Sequence, residues 1–279
     1  MSERKEPLTV FHCDLDNTLI YSWKHEIGEE KVCVEVYEGR EISFMTARSS
    51  ALLRQVRERT VFVPTTTRTK EQYERIRLET AADGPQYALV CNGGVLLRDG
   101  EELPDWYGES LRRIEKSREE LAEAQRRLQK DGDRCFEVRN IRDLFLFTKS
   151  VRPRETAERL RAFRGRSSVN VFTNGNKVYA VPEGLDKGTA LARFREYIHA
   201  DRVLAAGDSE FDLPMLAAAD EAFAPAALFD RHPIGKQVQK IGQGVFSDGM
   251  LHMVLSGLSI RGKDGSAPYP DRKTEYGAE

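Results

Sequence analysis

Short apolar runs alternate with stretches of helical periodicity through the first hundred residues. Residues 8–13 form an apolar run that ends at an acidic cluster, and residues 60–63 and 88–91 form similar runs. Residues 49–59 carry apolar positions at the spacing of a helix, and residues 70–78 form a second helical stretch. Buried strands separated by helices predict an α/β fold with a doubly wound parallel sheet.

The pattern changes in the middle of the chain. Residues 107–130 are highly charged and carry a sparse apolar stripe, which predicts one long, solvated helix. Two strands, a helix and a β-hairpin around Asn174-Gly175 follow at 134–138, 144–150, 154–163, 168–172 and 177–181. This order suits an antiparallel sheet with helices on one face, so we expect residues 104–182 to form an inserted α+β domain.

The parallel pattern resumes after this insertion. It predicts a helix, a strand, a helix, a last strand and a final helix at 187–198, 202–206, 213–218, 221–224 and 248–255. We therefore expect residues 1–103 and 183–260 to form one core domain. Residues 261–279 contain few large apolar side chains, which predicts a flexible tail.

Composition narrows the class of protein. The 43 Lys and Arg residues balance 45 Asp and Glu residues for a net charge of -2, which argues against a general nucleic-acid binder. No segment has the length of a membrane span, and the start lacks the apolar core of a signal peptide. The four cysteines form no CxxC pair, so a structural zinc site is not expected. A cytoplasmic globular protein without nucleic-acid or membrane partners is expected.

Acidic residues directly follow the first predicted strand, in Asp14-Leu15-Asp16-Asn17-Thr18. Ligands of open parallel sheets bind at the carboxyl ends of the strands. A carboxylate there is a competent nucleophile toward phosphorus, and a second carboxylate can carry the proton. The alternative is a turn with a helix cap, because Asp and Asn are common in both.

Two further segments supply groups that could bind an anion. Thr65-Thr66-Thr67-Arg68 follows the second strand, where a hydroxyl near a helix N-terminus can bind a phosphoryl oxygen, although an N-cap is the more common use of threonine. Lys187 is placed at a helix start, where the helix dipole favours acids rather than bases. This misfit indicates a nearby anion, and the alternative is an ordinary solvated lysine.

A last acidic cluster, Gly207-Asp208-Ser209-Glu210-Phe211-Asp212, follows the strand at 202–206. Magnesium prefers a few carboxylates together with water and phosphate oxygens. Asp14, Asp208 and Asp212 could supply that set if the strand ends converge. Capping is again the alternative, but it accounts less well for three acids in six residues.

These four segments, in this order, resemble the haloacid dehalogenase superfamily of phosphotransferases, and the resemblance extends to about residue 217. The insertion resembles the C2-type cap, in its C2B form, and Asn92-Gly93-Gly94 resembles the segment that leads into such caps. Members similar to sucrose-phosphate phosphatase and mannosyl-phosphoglycerate phosphatase are the nearest comparison. The resemblance implies a Rossmann-like core and bound Mg²⁺.

The resemblance also implies a role for each matching residue. Asp14 is the nucleophile and a metal ligand, while Asp16 is the general acid and base and binds the metal through its carbonyl. Thr66 and Lys187 bind the phosphoryl group, and Asp208 binds Mg²⁺, with Asp212 as a ligand or an anchor. Substrate contacts are expected from the groups adjoining these motifs, Thr67, Arg68 and Asn92.

Two features depart from the family pattern. The usual Thr-Gly-Arg is here Thr66-Thr67-Arg68, which leaves open whether Thr65 or Thr66 binds the phosphoryl group. The stretch 21–44 is also longer than expected before the first helix. Alternation over 31–37 and the apolar segment 42–45 predict a β-hairpin in this stretch, which could form an enlarged flap over the site.

The expected function is a Mg²⁺-dependent phosphatase that hydrolyses a small phosphorylated metabolite, such as a sugar phosphate, through an aspartyl-phosphate. One alternative is a phosphomutase of the phosphomannomutase type, which would need extra cap arginines, for which Arg139, Arg142 and Arg152 are candidates. The other is a non-catalytic binding or regulatory relative. The sequence leaves the substrate and the oligomeric state open.

Overall fold

The computed structural model describes residues 7–78, 84–162 and 168–261. Its strands are β1 (Thr9–Cys13), β2 (Tyr21–Ser22), β3 (Lys31–Tyr37), β4 (Arg40–Thr46), β5 (Val61–Pro64), β6 (Tyr87–Val90), β7 (Val95–Arg98), β8 (Glu101–Glu102), β9 (Arg139–Ile141), β10 (Phe145–Lys149), β11 (Val169–Asn174), β12 (Lys177–Pro182), β13 (Arg202–Ala206), β14 (Glu221–Pro225) and β15 (Val238–Ile241). Its helices are α1 (Ala47–Arg57), α2 (Lys70–Tyr73), α3 (Pro104–Arg113), α4 (Arg118–Lys130), α5 (Pro153–Ala162), α6 (Lys187–Tyr197), α7 (Leu213–Ala218), α8 (Ala226–Phe229) and α9 (Phe246–Arg261).

The core is a five-stranded parallel sheet with the order β15-β14-β13-β1-β5. Successive residues of β1 point to opposite faces of the sheet. Val10 packs with Phe194 of α6 on one face, and Phe11 packs with Val56 of α1 on the other, where α9 also lies. Helices therefore cover both faces, which confirms the predicted doubly wound α/β fold.

The third predicted strand, β6, belongs to the parallel sheet only at its edge. A single parallel bridge joins Thr65 and Leu89, and β6 otherwise pairs with β7, which pairs with β8 in an antiparallel sheet. The predicted hairpin is confirmed, because β3 and β4 pair antiparallel and β2 extends their sheet. We call this sheet, residues 21–46, the flap.

The segment between β8 and α6 contains a four-stranded antiparallel sheet with the order β11-β12-β10-β9. Helices α4 and α5 cover one face, where Leu128 and Leu160 pack against Val178. The opposite face carries Tyr179, which packs with Phe211 of the core. This arrangement has the layers that the α-β-β-α-β-β order predicts, whereas the division at 104–182 into a separate domain stays a prediction.

The prediction of one helix over 107–130 is wrong. Helix α3 ends at Arg113, and a short 3₁₀ helix at Glu115–Ser117 separates it from α4. Ile114, at the break, is buried near the end of β7, whereas Leu121 is buried against α5 and the back of the antiparallel sheet. The break in the helix therefore lies between two side chains that pack in different clusters.

Other elements also differ from the prediction. The helix at 70–78 ends at Tyr73, because the amide of Arg77 donates to Val34 of β3 and Ile76 forms a bridge to the same strand. The strand expected at 134–138 is not regular. The carbonyl of Phe136 accepts a hydrogen bond from the Thr148 hydroxyl, and the ladder with β10 begins only at β9.

The strand at 221–224 is not the last one, because β15 follows it at the sheet edge. The final helix is longer than 248–255, since α9 spans Phe246–Arg261. The predicted tail lies outside the described residues from 262 onward. In the described ranges, no helix has both the length and the apolar character that a membrane span requires.

Candidate active site

The chain turns sharply just after β1, and this turn separates the two carboxylates of the first motif. The Asp14 amide still continues the sheet by donating to the Ala206 carbonyl at 2.9 Å. The Leu15 carbonyl then accepts hydrogen bonds from three successive amides, those of residues 18–20, and Asn17 adopts a left-handed backbone with φ 63°. Asp14 and Asp16 consequently point to different partners.

Lys187 links the nucleophile position to the last acidic motif. Its Nζ lies 2.5 Å from Asp14 Oδ1 and 2.6 Å from Asp212 Oδ1, and the side chain is buried. Burial lowers the pKa of Lys187, but the charges of Asp14 and Asp212 outweigh it and hold the pKa above its ordinary value. The lysine is therefore a fixed cation at the start of α6, and its two partner carboxylates explain its position against the helix dipole.

Asp212 fixes the loop that carries Asp208. Asp212 Oδ2 accepts hydrogen bonds from the amides of Asp208 and Ser209 at 3.1 and 2.9 Å and from the Ser209 hydroxyl at 2.8 Å. Gly207 permits this close turn, since a Cβ at that position would lie 2.3 Å from the Cβ of Asp212. With Lys187 on its other oxygen, Asp212 is fully engaged in positioning its neighbours.

Three carboxylates form a group that could hold a metal ion. One oxygen from each of Asp14, Asp208 and Asp212 lies within 4.8 Å of the others, and the Thr18 hydroxyl donates to Asp208 Oδ1 at 3.1 Å. Burial and the charge of Asp212 raise the pKa of Asp208 to about 7. Carboxylate oxygens suit Mg²⁺. Asp14 and Asp208 would hold the ion, with Asp212 as the anchor of their loop.

The two candidate threonines differ in what their hydroxyls bind. Thr65 Oγ1 contacts His12 Nδ1 at 2.9 Å and donates to the Val63 carbonyl at 3.1 Å. Thr66 Oγ1 instead accepts from the Arg68 amide at 3.1 Å, so its own proton can be donated to an anion. Both side chains are buried, and these contacts favour Thr66 over Thr65 as the phosphoryl-binding residue.

Asp16 is held by Arg68, which the flap holds in turn. Arg68 donates from Nε and Nη2 to the two oxygens of Asp16 at 2.8 and 2.7 Å, and its Nη1 lies 2.9 Å from Oε1 of the buried Glu35. Burial acts to raise the pKa of Asp16, but the hydrogen bonds and charge of Arg68 outweigh it and lower that pKa. The substrate-binding role expected for Arg68 stays a prediction.

Asn92 lies beside the threonine loop in a left-handed conformation, with φ 58° and ψ 32°. Its amide donates to the Thr66 carbonyl at 2.9 Å, and its Nδ2 donates to the Leu185 carbonyl at 3.0 Å. Asn92 thus joins the threonine loop to the turn that precedes Lys187. Direct substrate contact by Asn92 and by the half-buried Thr67 stays a prediction.

Two contributors escaped the sequence reasoning, Glu35 and Thr18. Glu35 lies in the flap strand β3, where a bulge on either side of it disturbs the alternation of the strand. The sequence does place this glutamate between two valines, in Val34-Glu35-Val36, which could have indicated an unusual position. Alternation of apolar and polar residues alone does not reveal that the acid is buried. Thr18 was part of the first motif, but its contact with Asp208 depends on the turn.

The arginines considered for a phosphomutase are paired with nearby carboxylates. The distance from Arg139 Nε to Glu137 Oε1 is 2.7 Å, and that from Arg142 Nη1 to Glu102 Oε1 is 2.5 Å. Arg152 Nη2 lies 2.7 Å from Asp133 Oδ1. Arg152 follows β10 beside α5, away from the face of the antiparallel sheet that meets the core. These contacts give no support to a second phosphate site built from these arginines.

The sequence model of the haloacid dehalogenase-like hydrolases matches residues 11–226, which include all four motifs. This chain belongs to the haloacid dehalogenase-like hydrolase family. A search of curated proteins finds no sequence match.

Solved structures with the same fold include other hydrolases of the haloacid dehalogenase type. A sucrose-phosphatase from Synechocystis, solved with sucrose and phosphate, has a TM-score of 0.62 at 13% identity, over 91% of this chain and 99% of that one. A haloacid dehalogenase-like hydrolase from B. subtilis has a TM-score of 0.55 at 15% identity, over 88% and 98%. A phosphatase of the superfamily from Bacteroides thetaiotaomicron has a TM-score of 0.54 at 14% identity, over 93% and 98%.

Proposed function

We propose that this haloacid dehalogenase-like hydrolase is a Mg²⁺-dependent phosphatase that cleaves a small phosphomonoester through a phosphorylated Asp14. The observation that carries the proposal is the buried contact of Asp14 with Lys187, next to Asp208 and Asp212. Phosphoryl transfer needs a positioned nucleophile and stabilisation of charge more than elaborate bond chemistry. This cluster supplies both.

In the first step, the Asp14 carboxylate attacks phosphorus, the Asp14–phosphorus bond forms and the ester bond to the leaving oxygen breaks. Lys187 holds Asp14 Oδ1 and so orients the carboxylate, while its charge and the Thr66 hydroxyl bind the phosphoryl oxygens. When bound, Mg²⁺ supplies further positive charge that stabilises the transferring phosphoryl group.

Asp16 carries the proton in both steps. It donates a proton to the leaving oxygen, and it then takes one from the water that attacks phosphorus and releases Asp14 as a carboxylate. Arg68 keeps Asp16 ionised, which is the form needed for the second step. Asp16 must loosen its contact with Arg68 to act as an acid, so we expect this pair to rearrange when substrate binds.

The proposed substrate is a small phosphorylated metabolite of the sugar phosphate class, with residues 104–182 acting as a cap over the site in a cytoplasmic enzyme. The structural neighbour solved with sucrose and phosphate supports this class. A cap that encloses the site also favours a small substrate over a protein.

A phosphomonoester panel, assayed for free phosphate with and without Mg²⁺, tests the proposal. We expect Mg²⁺-dependent release by the wild-type protein, none by Asp14→Asn, and normal release by Asp230→Asn, which changes an exposed aspartate far along the chain. A phosphate adduct on the peptide that contains Asp14 should appear by mass spectrometry.

Three results would contradict the proposal. Turnover by Asp14→Asn would exclude Asp14 as the nucleophile. Isomerised product with little free phosphate would favour the phosphomutase. No release from any ester by the wild-type protein would favour the non-catalytic alternative.

A further inference from the structure

Two lysines lie directly opposite each other on the antiparallel sheet. In the ladder between β10 and β12, Lys149 pairs with Lys177, and in the ladder between β11 and β12, Asn174 pairs with the same Lys177. Like charges placed opposite each other on neighbouring strands destabilise a sheet. The stability of the sheet therefore does not explain why Lys149 and Lys177 lie opposite each other.

Aromatic side chains form the adjacent row on the same face, two residues along each strand. Phe147 pairs with Tyr179, and Tyr179 pairs with Phe172. The Tyr179 and Phe172 rings lie 4.9 and 5.0 Å from the ring of Phe211, which belongs to the loop between Asp208 and Asp212. The face that carries both rows is thus turned toward the catalytic carboxylates.

Lys177 is close enough to the catalytic loops to sense their charges. Burial lowers its pKa, the Asp16 carboxylate raises it, and Lys149 and Arg68 lower it further. The two oxygens of Asp16 accept hydrogen bonds from Arg68. Among the residues that the structure describes, neither Lys149 nor Lys177 has a carboxylate within the 4.0 Å of an ion pair.

Aromatic rings support the two ammonium groups instead. Lys149 Nζ lies 4.8 Å from the ring centre of Phe136, and Lys177 Nζ lies 5.9 Å from that of Phe147, which itself stacks on Phe136. Cation–π contacts hold the lysines without neutralising them. The result is a positive site next to a flat apolar surface, on the sheet face that packs against Phe211.

We propose that Lys149 and Lys177 bind a second anionic group, a carboxylate or a phosphate, on the leaving group of the substrate, with Phe147 beneath its carbon skeleton. This proposal rests on the proposed phosphatase function and narrows its substrate class to phosphomonoesters that carry a second anion. Paired ammonium groups suit such an anion, because charge-assisted hydrogen bonds are stronger than neutral ones.

Three esters that share one carbon skeleton test the proposal: glucose 6-phosphate, 6-phosphogluconate and glucose 1,6-bisphosphate. The second and third add a carboxylate and a phosphate, respectively, so they separate the two sources of charge. We expect kcat/KM for at least one of them to exceed that for glucose 6-phosphate by about tenfold or more, the value of one charge-assisted hydrogen bond.

Single variants assign this preference to the lysines. Lys149→Gln and Lys177→Gln should each lower kcat/KM for the preferred ester with a second anion by about tenfold more than for glucose 6-phosphate. Lys177→Arg should retain the preference. Lys130→Gln, on the helix that covers the opposite face of the same sheet, is the matched control and should change neither ester.

Binding to an Asp14→Asn variant, measured by calorimetry with the same three esters and Mg²⁺, separates this proposal from the proposed function. A binding preference that Lys177→Gln removes supports the anion site even if no ester is hydrolysed. Equal binding of all three esters overturns it even if the wild-type protein is an active phosphatase. An equal loss for glucose 6-phosphate and for the esters with a second anion in the glutamine variants also overturns it, since the lysines would then act on Asp16.

Discussion

At the scale of single residues, Asp212 shows how one buried side chain can set the position of several others. Its two oxygens accept hydrogen bonds from Lys187, from the amides of Asp208 and Ser209, and from the Ser209 hydroxyl. The sequence placed Asp212 within the acidic motif but could not divide roles between Asp208 and Asp212. That division depends on a turn whose hydrogen bonds are visible only in three dimensions.

Gly207→Ala should disrupt this turn. The new Cβ would lie 2.3 Å from the Asp212 Cβ and 2.9 Å from the oxygen that anchors the loop. We expect a loss of about 1–3 kcal/mol in the free energy of unfolding and weaker Mg²⁺ binding, measured by urea denaturation and by titration. Gly242→Ala, where a Cβ meets no atom within 4 Å, should behave like the wild-type protein. Equal Mg²⁺ affinity in both variants would contradict this account.

Asp208 should couple Mg²⁺ binding to pH. Its pKa in the folded protein is raised to about 7. Without metal, protonated Asp208 therefore contributes fully to the free energy of unfolding when the pH is below the ordinary pKa of an aspartate, and this contribution is lost as the pH rises through about 7. Mg²⁺ binds the ionised form. The increase in Tm on adding Mg²⁺ should therefore be larger near pH ~8 than near pH ~5.5.

Asp208→Asn is the matching variant for that experiment. Without metal it should be more stable than the wild-type protein near pH ~8, and Mg²⁺ should raise its Tm little at either pH. Comparison of the two proteins cancels the titration of all other groups. A Mg²⁺ effect of the same size in both proteins would show that Asp208 is not a ligand.

At the scale of structural elements, the flap reaches the catalytic loop through Glu35, Arg68 and Asp16. The Ser43 hydroxyl of β4 donates to Glu35 at 2.7 Å, so both strands of the hairpin support this buried acid. The sequence predicted the hairpin and its position over the site. It did not predict a charged link to Asp16, the proposed general acid, because the partner residues are separated along the chain and share no motif.

Arg68→Met should move the pH dependence of turnover. Arg68 lowers the pKa of Asp16 against the effect of burial, so its loss should raise that pKa and leave less ionised Asp16 at a given low pH. The acidic limb of the kcat profile should therefore shift to higher pH. Arg54→Met, on the exposed side of α1, serves as the control. An unchanged acidic limb would mean that Arg68 does not govern Asp16.

The elements that the sequence misplaced share a physical cause. Local periodicity located β13 at Arg202–Ala206 and α7 at Leu213–Ala218, because β13 is a nearly continuous buried run and the buried side of α7 packs in a single cluster. Periodicity failed at Ile114, where the helix changes the cluster that it packs against, and at Phe136, where a threonine hydroxyl replaces a ladder hydrogen bond. Tertiary contacts overrode the local pattern at both points.

At the scale of the whole molecule, Phe211 joins the loop of Asp208 and Asp212 to the antiparallel sheet. It is nearly buried and packs between Tyr179 and Phe172. Nothing in the local pattern singles out this phenylalanine, because its partners lie in strands from a different part of the chain. The contact means that the face carrying Lys149 and Lys177 and the loop carrying Asp208 share one packed cluster.

Phe211→Ala should therefore affect both parts. We expect a loss of about 3–5 kcal/mol in the free energy of unfolding, together with weaker Mg²⁺ binding, because the loop loses its packing support. Phe229→Ala, which removes a partly buried ring of α8 from a different hydrophobic cluster, should destabilise the protein without changing Mg²⁺ affinity. If both variants bind Mg²⁺ like the wild-type protein, Phe211 serves stability alone.

The placement of β1 between β5 and β13 also has a consequence for biosynthesis. The strand that carries Asp14 is made before either neighbour, and one of the two, β13, is complete only when synthesis has passed residue 206. Until then, one edge of this apolar strand has no partner. A nascent chain is therefore prone to pair with other strands at that edge, and docking of β13 removes the exposed edge.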